Sequence, residues 1–175
     1  PTLTTIGNNA VTATSWAHPF VPSPPGYRPT SPSRDYLYPW TNDWFLGDCE
    51  PTPGAPGATW DDSAAVTNLF VAHNRMHDFA YYLGFTERNW NAQDVNFGLT
   101  ETWRENDPVV GNAHADVLAG ARENANIFPM PEGLTAFTNM YMWQSVAGAF
   151  YAPCVDGDFD MGVIVHEYGH LIENR

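Results

Sequence analysis

The chain has 175 residues, 43% of them apolar and 14% aromatic, and it carries 20 acidic against 7 basic side chains for a formal charge of −13. This length and composition fit one globular domain and exclude a disordered or low-complexity chain. The charge argues against nucleic acid and anionic membrane surfaces as partners, no apolar run approaches a membrane span, and the opening Pro1-Thr2-Leu3-Thr4 has no signal-peptide pattern, as expected of a processed, secreted chain.

Residues 1–60 are rich in Pro, Gly, Thr, Ser and aromatics. Pro22-Ser23-Pro24-Pro25-Gly26 and Pro51-Thr52-Pro53-Gly54 cannot be helical. Val11 to Trp16 is expected as a strand, and the rest as irregular loops pinned by Tyr27, Tyr36, Tyr38, Trp40, Trp44 and Phe45. Such aromatics also suit a ligand groove, but anchors packed on a core are the expectation.

Residues 61–84 predict a long helix. Asp61, Asp62 and Ser63 offer capping side chains, and Gly84 ends the segment. Between them Val66, Leu69, Phe70, His73, Met76, His77, Ala80 and Tyr81 recur at three- and four-residue spacing. His73 and His77 are four apart, yet no glutamate follows the first, so satisfied core histidines are expected there and not a metal pair.

The stretch 85–123 is polar, with Asn89, Asn91, Asn96 and Asn112 marking turns and Asp116 to Gly120 read as a strand. Asn124 to Phe128, followed by Pro129 and Pro131, reads as an edge strand broken by proline, and Phe137 to Trp143 as a further strand. Strands ahead of a helical finish give an α+β class. Cys49 and Cys154 could be two buried thiols or one disulfide; a secreted chain favours the disulfide, worth ~4–5 kcal/mol for a loop of about a hundred residues.

Asp156-Gly157-Asp158-Phe159-Asp160 precedes the last helix, predicted near 160–174. Alternating aspartates can bind calcium, but Met161 stands where a calcium loop of the EF-hand type needs glycine, so a helix cap is favoured over calcium. The helix itself carries His166-Glu167-Tyr168-Gly169-His170. Residues four apart on a helix lie about 40° apart in rotation and one turn apart in height, so both imidazoles reach one ion. Glu167 falls beside them, placed to act on a water. This is the His-Glu-x-x-His pattern of zinc peptidases, with His166 and His170 as ligands and Glu167 as catalytic base.

These residues resemble the fungalysin family of secreted zinc metalloendopeptidases, relatives of thermolysin among the zincins. The resemblance extends beyond the motif to Asn174-Arg175, to Asn74 with His77-Asp78-Phe79, Tyr82 and Gly84-Phe85-Thr86-Glu87, and to Val95-Asn96-Phe97-Gly98. It continues through Asn124-Ala125-Asn126, Pro131-Glu132-Gly133, Met140-Tyr141-Met142-Trp143 and Asp156-Gly157-Asp158. Near the amino terminus it includes Gly7-Asn8-Asn9, Gly26-Tyr27-Arg28-Pro29-Thr30 and Tyr38-Pro39-Trp40. It implies a thermolysin-like fold, a Zn2+ cofactor, protein or peptide substrates, and Asn124 and Ala125 holding the substrate main chain as an added strand. It also implies an extracellular setting and admits a propeptide. The sequence departs from the family at Leu171, where glycine is usual, so the helix is expected to continue. The family's third ligand is a glutamate on a later helix. Glu173 is not assigned that role, so residues 1–175 are expected to be the amino-terminal part of the catalytic domain, completed by a carboxy-terminal portion and inactive alone. The alternatives are a zinc-binding structural or interaction module and a non-proteolytic metal hydrolase.

Overall fold

In the computed structural model, residues 2–17, 26–50, 61–149 and 153–175 are described. Pro22 to Pro25 and Pro51 to Gly54 lie outside the described residues. The elements in chain order are β1 (Ala10–Thr14), α1 (Asp43–Leu46), α2 (Asp62–Tyr82), β2 (Val109–Ala113), β3 (Ala125–Phe128), β4 (Phe137–Met140), β5 (Met142–Trp143), β6 (Val155–Asp156) and α3 (Met161–Glu173). The mixed α+β class is as expected from the sequence.

The main sheet runs β1-β2-β4-β3. β1 and β4 both pair parallel to β2, and β3 returns antiparallel on β4, with Ala125 opposite Met140 and Phe128 opposite Phe137. A parallel β1–β2 pair needs a long crossover, which α2 supplies. All five residues of β2 are buried, as expected of a central strand covered on both faces. β3 is half-exposed at the edge, where Pro129 and Pro131 follow it. Gly111 marks where α2 crosses β2: a Cβ there would lie 2.7 Å from Thr12 Cγ2, 2.8 Å from Leu69 Cδ2 and 2.9 Å from His73 Cε1. Only glycine admits that approach.

Two apolar clusters fix the last helix against the sheet and α2. Ile164 packs with Val66, Leu69, Ala72, Ala113 and Met140. Tyr168 and Leu171 pack with Met76, Ala92, Val109 and Ala136. Positions 164, 168 and 171 form one helical stripe, and its burial turns the opposite face of α3 outward. A third cluster, Trp16, Trp44, Cys49, Val117, Met142 and Cys154, surrounds the disulfide joining Cys49 to Cys154, whose Cα atoms are 5.5 Å apart.

Several local expectations are corrected. Asp61, Asp62 and Ser63 do not cap α2. Asp61 is left-handed, with φ 54°, and N-capping needs extended backbone. Its carboxylate instead accepts from Thr41 N, Thr41 Oγ1 and Asn42 N at 2.7–2.8 Å, pinning the preceding loop. Ser63 bonds Tyr27 and Asp62 bonds His114. Asp116 to Gly120 is a 3-10 turn over Val117–Ala119, because Asp116 (φ 53°) and Gly120 (φ 78°) are both left-handed and interrupt extended structure. Asn112 sits inside β2 and not in a turn; its amide donates to Asn139 across the sheet. The expected strand Phe137 to Trp143 divides at Tyr141, and its second part leaves the main sheet to pair with β6. Of the aromatic anchors, Trp44 is 1% exposed, whereas Trp40 and Phe45 are half-exposed and line a cleft of about 480 Å³ with Phe159.

Candidate functional site

α3 begins where Asp160 accepts from the backbone of Gly162 and Val163, the cap expected of this aspartate run. It continues through Leu171 to Glu173, so the helix does run past the second histidine. With the 164/168/171 stripe buried, His166 and His170 project from the other face. Their Nε2 atoms face each other 3.1 Å apart. Glu167 follows His166 on the helix and is buried.

A cleft of about 430 Å³ opens against this face. It is lined by Asn124, Ala125, Trp143, Gly162, Val163, His166 and Glu167. The geometry thus brings the motif histidine and glutamate to the same cavity as Asn124 and Ala125, at the start of edge strand β3. Trp143, which the family resemblance grouped with Asn124 to Asn126 without giving it a role, is a wall of this cleft. It lies on β5, which leaves the main sheet after Tyr141 to pair with β6.

The donor set can be tested for a metal on its own chemistry. Metal–nitrogen bonds of about 2.0–2.1 Å place two ligands of one ion roughly 3.0–3.5 Å apart. The imidazole nitrogens already stand at that separation. The other ring nitrogen of His170, Nδ1, lies 3.4 Å from Glu173 Oε2. Glu173 therefore approaches the wrong side of the ring to share an ion with Nε2, and its position suits orienting the ring. The residues fit a metal held by His166 and His170.

His73 and His77 do not converge. His73 is fully buried, its Nε2 is 3.2 Å from Thr138 Oγ1, and burial pushes its pKa down to about 3, so it is neutral. His77 Nε2 bonds Gln93 Oε1 at 2.9 Å. Both are core groups, as expected, but only His77 is satisfied: His73 Nδ1 is buried with no hydrogen-bond partner among the described residues.

A second polar cluster was not anticipated. Fully buried His114 lies between Asp62, 3.0 Å from its Nδ1, and Asp156, 2.7 Å from its Nε2; Asp158 Oδ2 is 3.6 Å from Nε2 and accepts from the His114 backbone at 3.1 Å. Burial opposes charge on His114, but the Asp156 carboxylate, with Asp62 and Asp158, outweighs it and holds the imidazole well above its usual range. Burial, then the Asp156 charge, push Asp158 well above the carboxylate range, whereas His114 draws Asp156 below it against the effect of burial. The aspartate alternation was visible in the sequence; His114, some forty residues earlier, had no local signal tying it to them.

A helix bearing two histidines around a glutamate, set at a sheet edge, is the arrangement that metallopeptidases use. Over residues 1–175 the chain matches the family model described as fungalysin metallopeptidase (M36). It is 31% identical over 176 residues to extracellular metalloproteinase 4 of Arthroderma otae, an alignment that takes in 98% of this chain and 23% of that protein. It is 34% identical over 149 residues to extracellular metalloproteinase 1 of Phaeosphaeria nodorum, covering 85% and 20%. It is 34% identical over 179 residues to extracellular metalloproteinase 3 of Trichophyton tonsurans, covering 98% and 24%. The chain therefore belongs to the fungalysin metallopeptidase family. It spans about a quarter of the length of these relatives. None of its described helices is long and apolar enough to cross a membrane.

Proposed function

We propose that this chain carries the zinc-binding helix and the substrate-side edge strand of a secreted, thermolysin-like metalloendopeptidase. The observation that carries the reading is the pair of imidazole Nε2 atoms 3.1 Å apart on the helix face that borders the cleft. His166 and His170 would hold Zn2+ through these atoms, and a third ligand, a carboxylate by family resemblance, would come from the part of the relatives' length that this chain does not span. Zinc held there would supply Lewis acidity towards a water and the scissile carbonyl.

The chain's own residues perform the rest. Glu167, lining the cleft beside His166, takes the proton of the attacking water and delivers it to the leaving amine. Asn124 and the backbone at Ala125 hold an extended peptide alongside β3, so that main-chain hydrogen bonds fix its register across the cleft. The half-exposed edge position of β3 supports this role. Secretion fits the relatives' printed description as extracellular proteins and the disulfide.

The test is Glu167→Gln in the full-length protein. Zinc content should be unchanged while turnover of a protein substrate falls at least ~10²-fold. Near-normal turnover in a zinc-loaded variant would sink the base assignment. Cleavage of a small ester with no cleavage of any protein would instead favour a non-proteolytic hydrolase.

A further inference from the structure

The cluster around His114 has more ligating capacity than its hydrogen bonds use. Asp62, His114, Asp156 and Asp158 are all 3% exposed or less. Asp156 and Asp158 thus set two carboxyl groups against the same imidazole nitrogen away from water. Burying such charge is costly unless a cation compensates it. Separately, Asp158 Oδ1 is buried and has no hydrogen-bond partner among the described residues. An orphaned carboxylate oxygen in a fully buried side chain calls for an explanation, and an ion is one of the few available.

We propose that His114, Asp156 and Asp158 form a second metal site, sharing no residue with the His166/His170 pair, that takes a divalent transition-metal ion of the zinc or manganese class.

The geometry supports an ion at this place. One ligand atom from each of the three side chains lies within 4.8 Å of the others. His114 Nε2 is 2.7 Å from Asp156 Oδ2 and 3.6 Å from Asp158 Oδ2. Ligands of an ion with bonds of about 2.0–2.2 Å stand roughly 3.0–3.5 Å apart, so these two spacings bracket the required value. The remaining ring nitrogen is already engaged: Nδ1 faces Asp62 at 3.0 Å. A carboxylate on one imidazole nitrogen fixes the tautomer that leaves the other free to bind metal, the support that metal-bound histidines commonly have. The imidazole selects against calcium and magnesium, which take oxygen ligands, and the mixed nitrogen and carboxylate set suits zinc or manganese.

The fold indicates what the ion does. Asp62 opens α2, His114 follows β2, Asp156 ends β6, and Asp158 lies in the turn that leads into α3. Gly157 permits that turn, since a Cβ there would lie 2.5 Å from Tyr141 O. An ion at this junction clamps the start of α3 to the central sheet and to α2. It is therefore a structural site that holds the motif helix in place. Without an ion, the same residues would have to be stable as a proton-bearing carboxylate–imidazolium cluster.

The two states are separable in the full-length protein carrying His166→Ala and His170→Ala, which removes the exposed pair. After loading with Zn2+ or Mn2+ alone and removing free ion, metal is counted by mass spectrometry with and without Asp158→Asn or His114→Gln. We expect about one equivalent of metal that either further substitution removes. A chelator should lower the Tm of the double variant and leave the Tm of the triple variants unchanged. Asp158→Asn keeps the shape of a neutral Asp158, so it should be harmless if the cluster holds only protons. A metal count and chelator response unaltered by both substitutions, or no bound metal attributable to these residues, would overturn the site. His114→Gln gives an independent reading if Asp158→Asn fails to fold.

Discussion

The Glu173 carboxylate lies 3.4 Å from Nδ1 of His170, while Nε2 of the same ring faces His166. One turn of helix thus presents the proposed ligand and a group able to hold its tautomer. Partners of this kind are worth roughly 10–100-fold in metal affinity when they are sheltered. Glu173 is 77% exposed, so solvent screens it. Glu173→Gln should therefore weaken zinc binding by no more than about tenfold, the low end of that range. Competition against a chromophoric chelator measures it. A loss of metal as complete as that of His170→Ala would show that Glu173 is itself a ligand.

The Cys49–Cys154 bond closes a separation of 105 residues and sits among Trp16, Trp44, Val117 and Met142. It ties the segment around α1 to the strand that leads into the last helix. The pair Cys49→Ser and Cys154→Ser should cost about 2–5 kcal/mol of stability. Urea unfolding of the variant, compared with the parent under non-reducing conditions, reads this directly. A midpoint unchanged by the substitutions would mean that the aromatic cluster alone fixes this region.

Asp107 and Arg175 form an ion pair at 2.6 Å, with side chains 0% and 1% exposed. Asp107 also accepts from Gln93 N and Gly133 N, both at 3.0 Å, and Arg175 donates to Asn91 O and Met130 O. The pair fastens the end of α3 to the loops beneath it. Asp107→Ala removes the shorter of two carboxylate contacts to Arg175 and leaves Glu132 Oε2 3.3 Å from the same Nη1, so it should destabilise by about 3 kcal/mol, the low end for a broken buried pair. A cost under about 1 kcal/mol, the level of an exposed pair, would show that Glu132 alone compensates the guanidinium.

How far the sequence could be read depended on the range of the interactions. α2 and α3 were legible because Val66, Leu69 and Met76, or Ile164, Tyr168 and Leu171, repeat with the helical period, and a helix is decided by neighbours three and four residues away. The same locality placed His166, Glu167 and His170. β3 was legible through its flanking prolines. The failures share a cause. Asp61, Asp62 and Ser63 carry good capping side chains, but each is drawn to a residue far along the chain: Thr41, His114 and Tyr27. Asp116 to Gly120 has the composition of a strand, yet two left-handed residues that no periodicity reveals turn it. The parallel order β1-β2-β4 and the meeting of His114 with Asp156 and Asp158 are set by chain crossovers, on which hydrophobic spacing is silent.

His73 provides a pH test of the core. It is fully buried, and burial pushes its pKa to about 3, against about 6.5 when unfolded. The folded state therefore leaves His73 neutral at a pH where the unfolded chain would already bind a proton. Above the unfolded value both states are neutral and His73 contributes no pH dependence. As pH falls through about 6.5 the unfolded state gains protons first, so stability is lost progressively until pH approaches about 3, where the folded state can also protonate. Near pH 5 this loss is about 2 kcal/mol. His73→Leu removes the titrating group and also the contact of Nε2 with Thr138, a cost without pH dependence of its own. The difference in unfolding free energy between parent and variant should accordingly be flat above about pH 7 and shift in favour of the variant by about 2 kcal/mol near pH 5. Comparing the pair cancels the opposing titrations of His114, Asp156 and Asp158, which both proteins share. A difference that stays constant from pH 7 to pH 5 would mean that His73 accepts a proton inside the folded core.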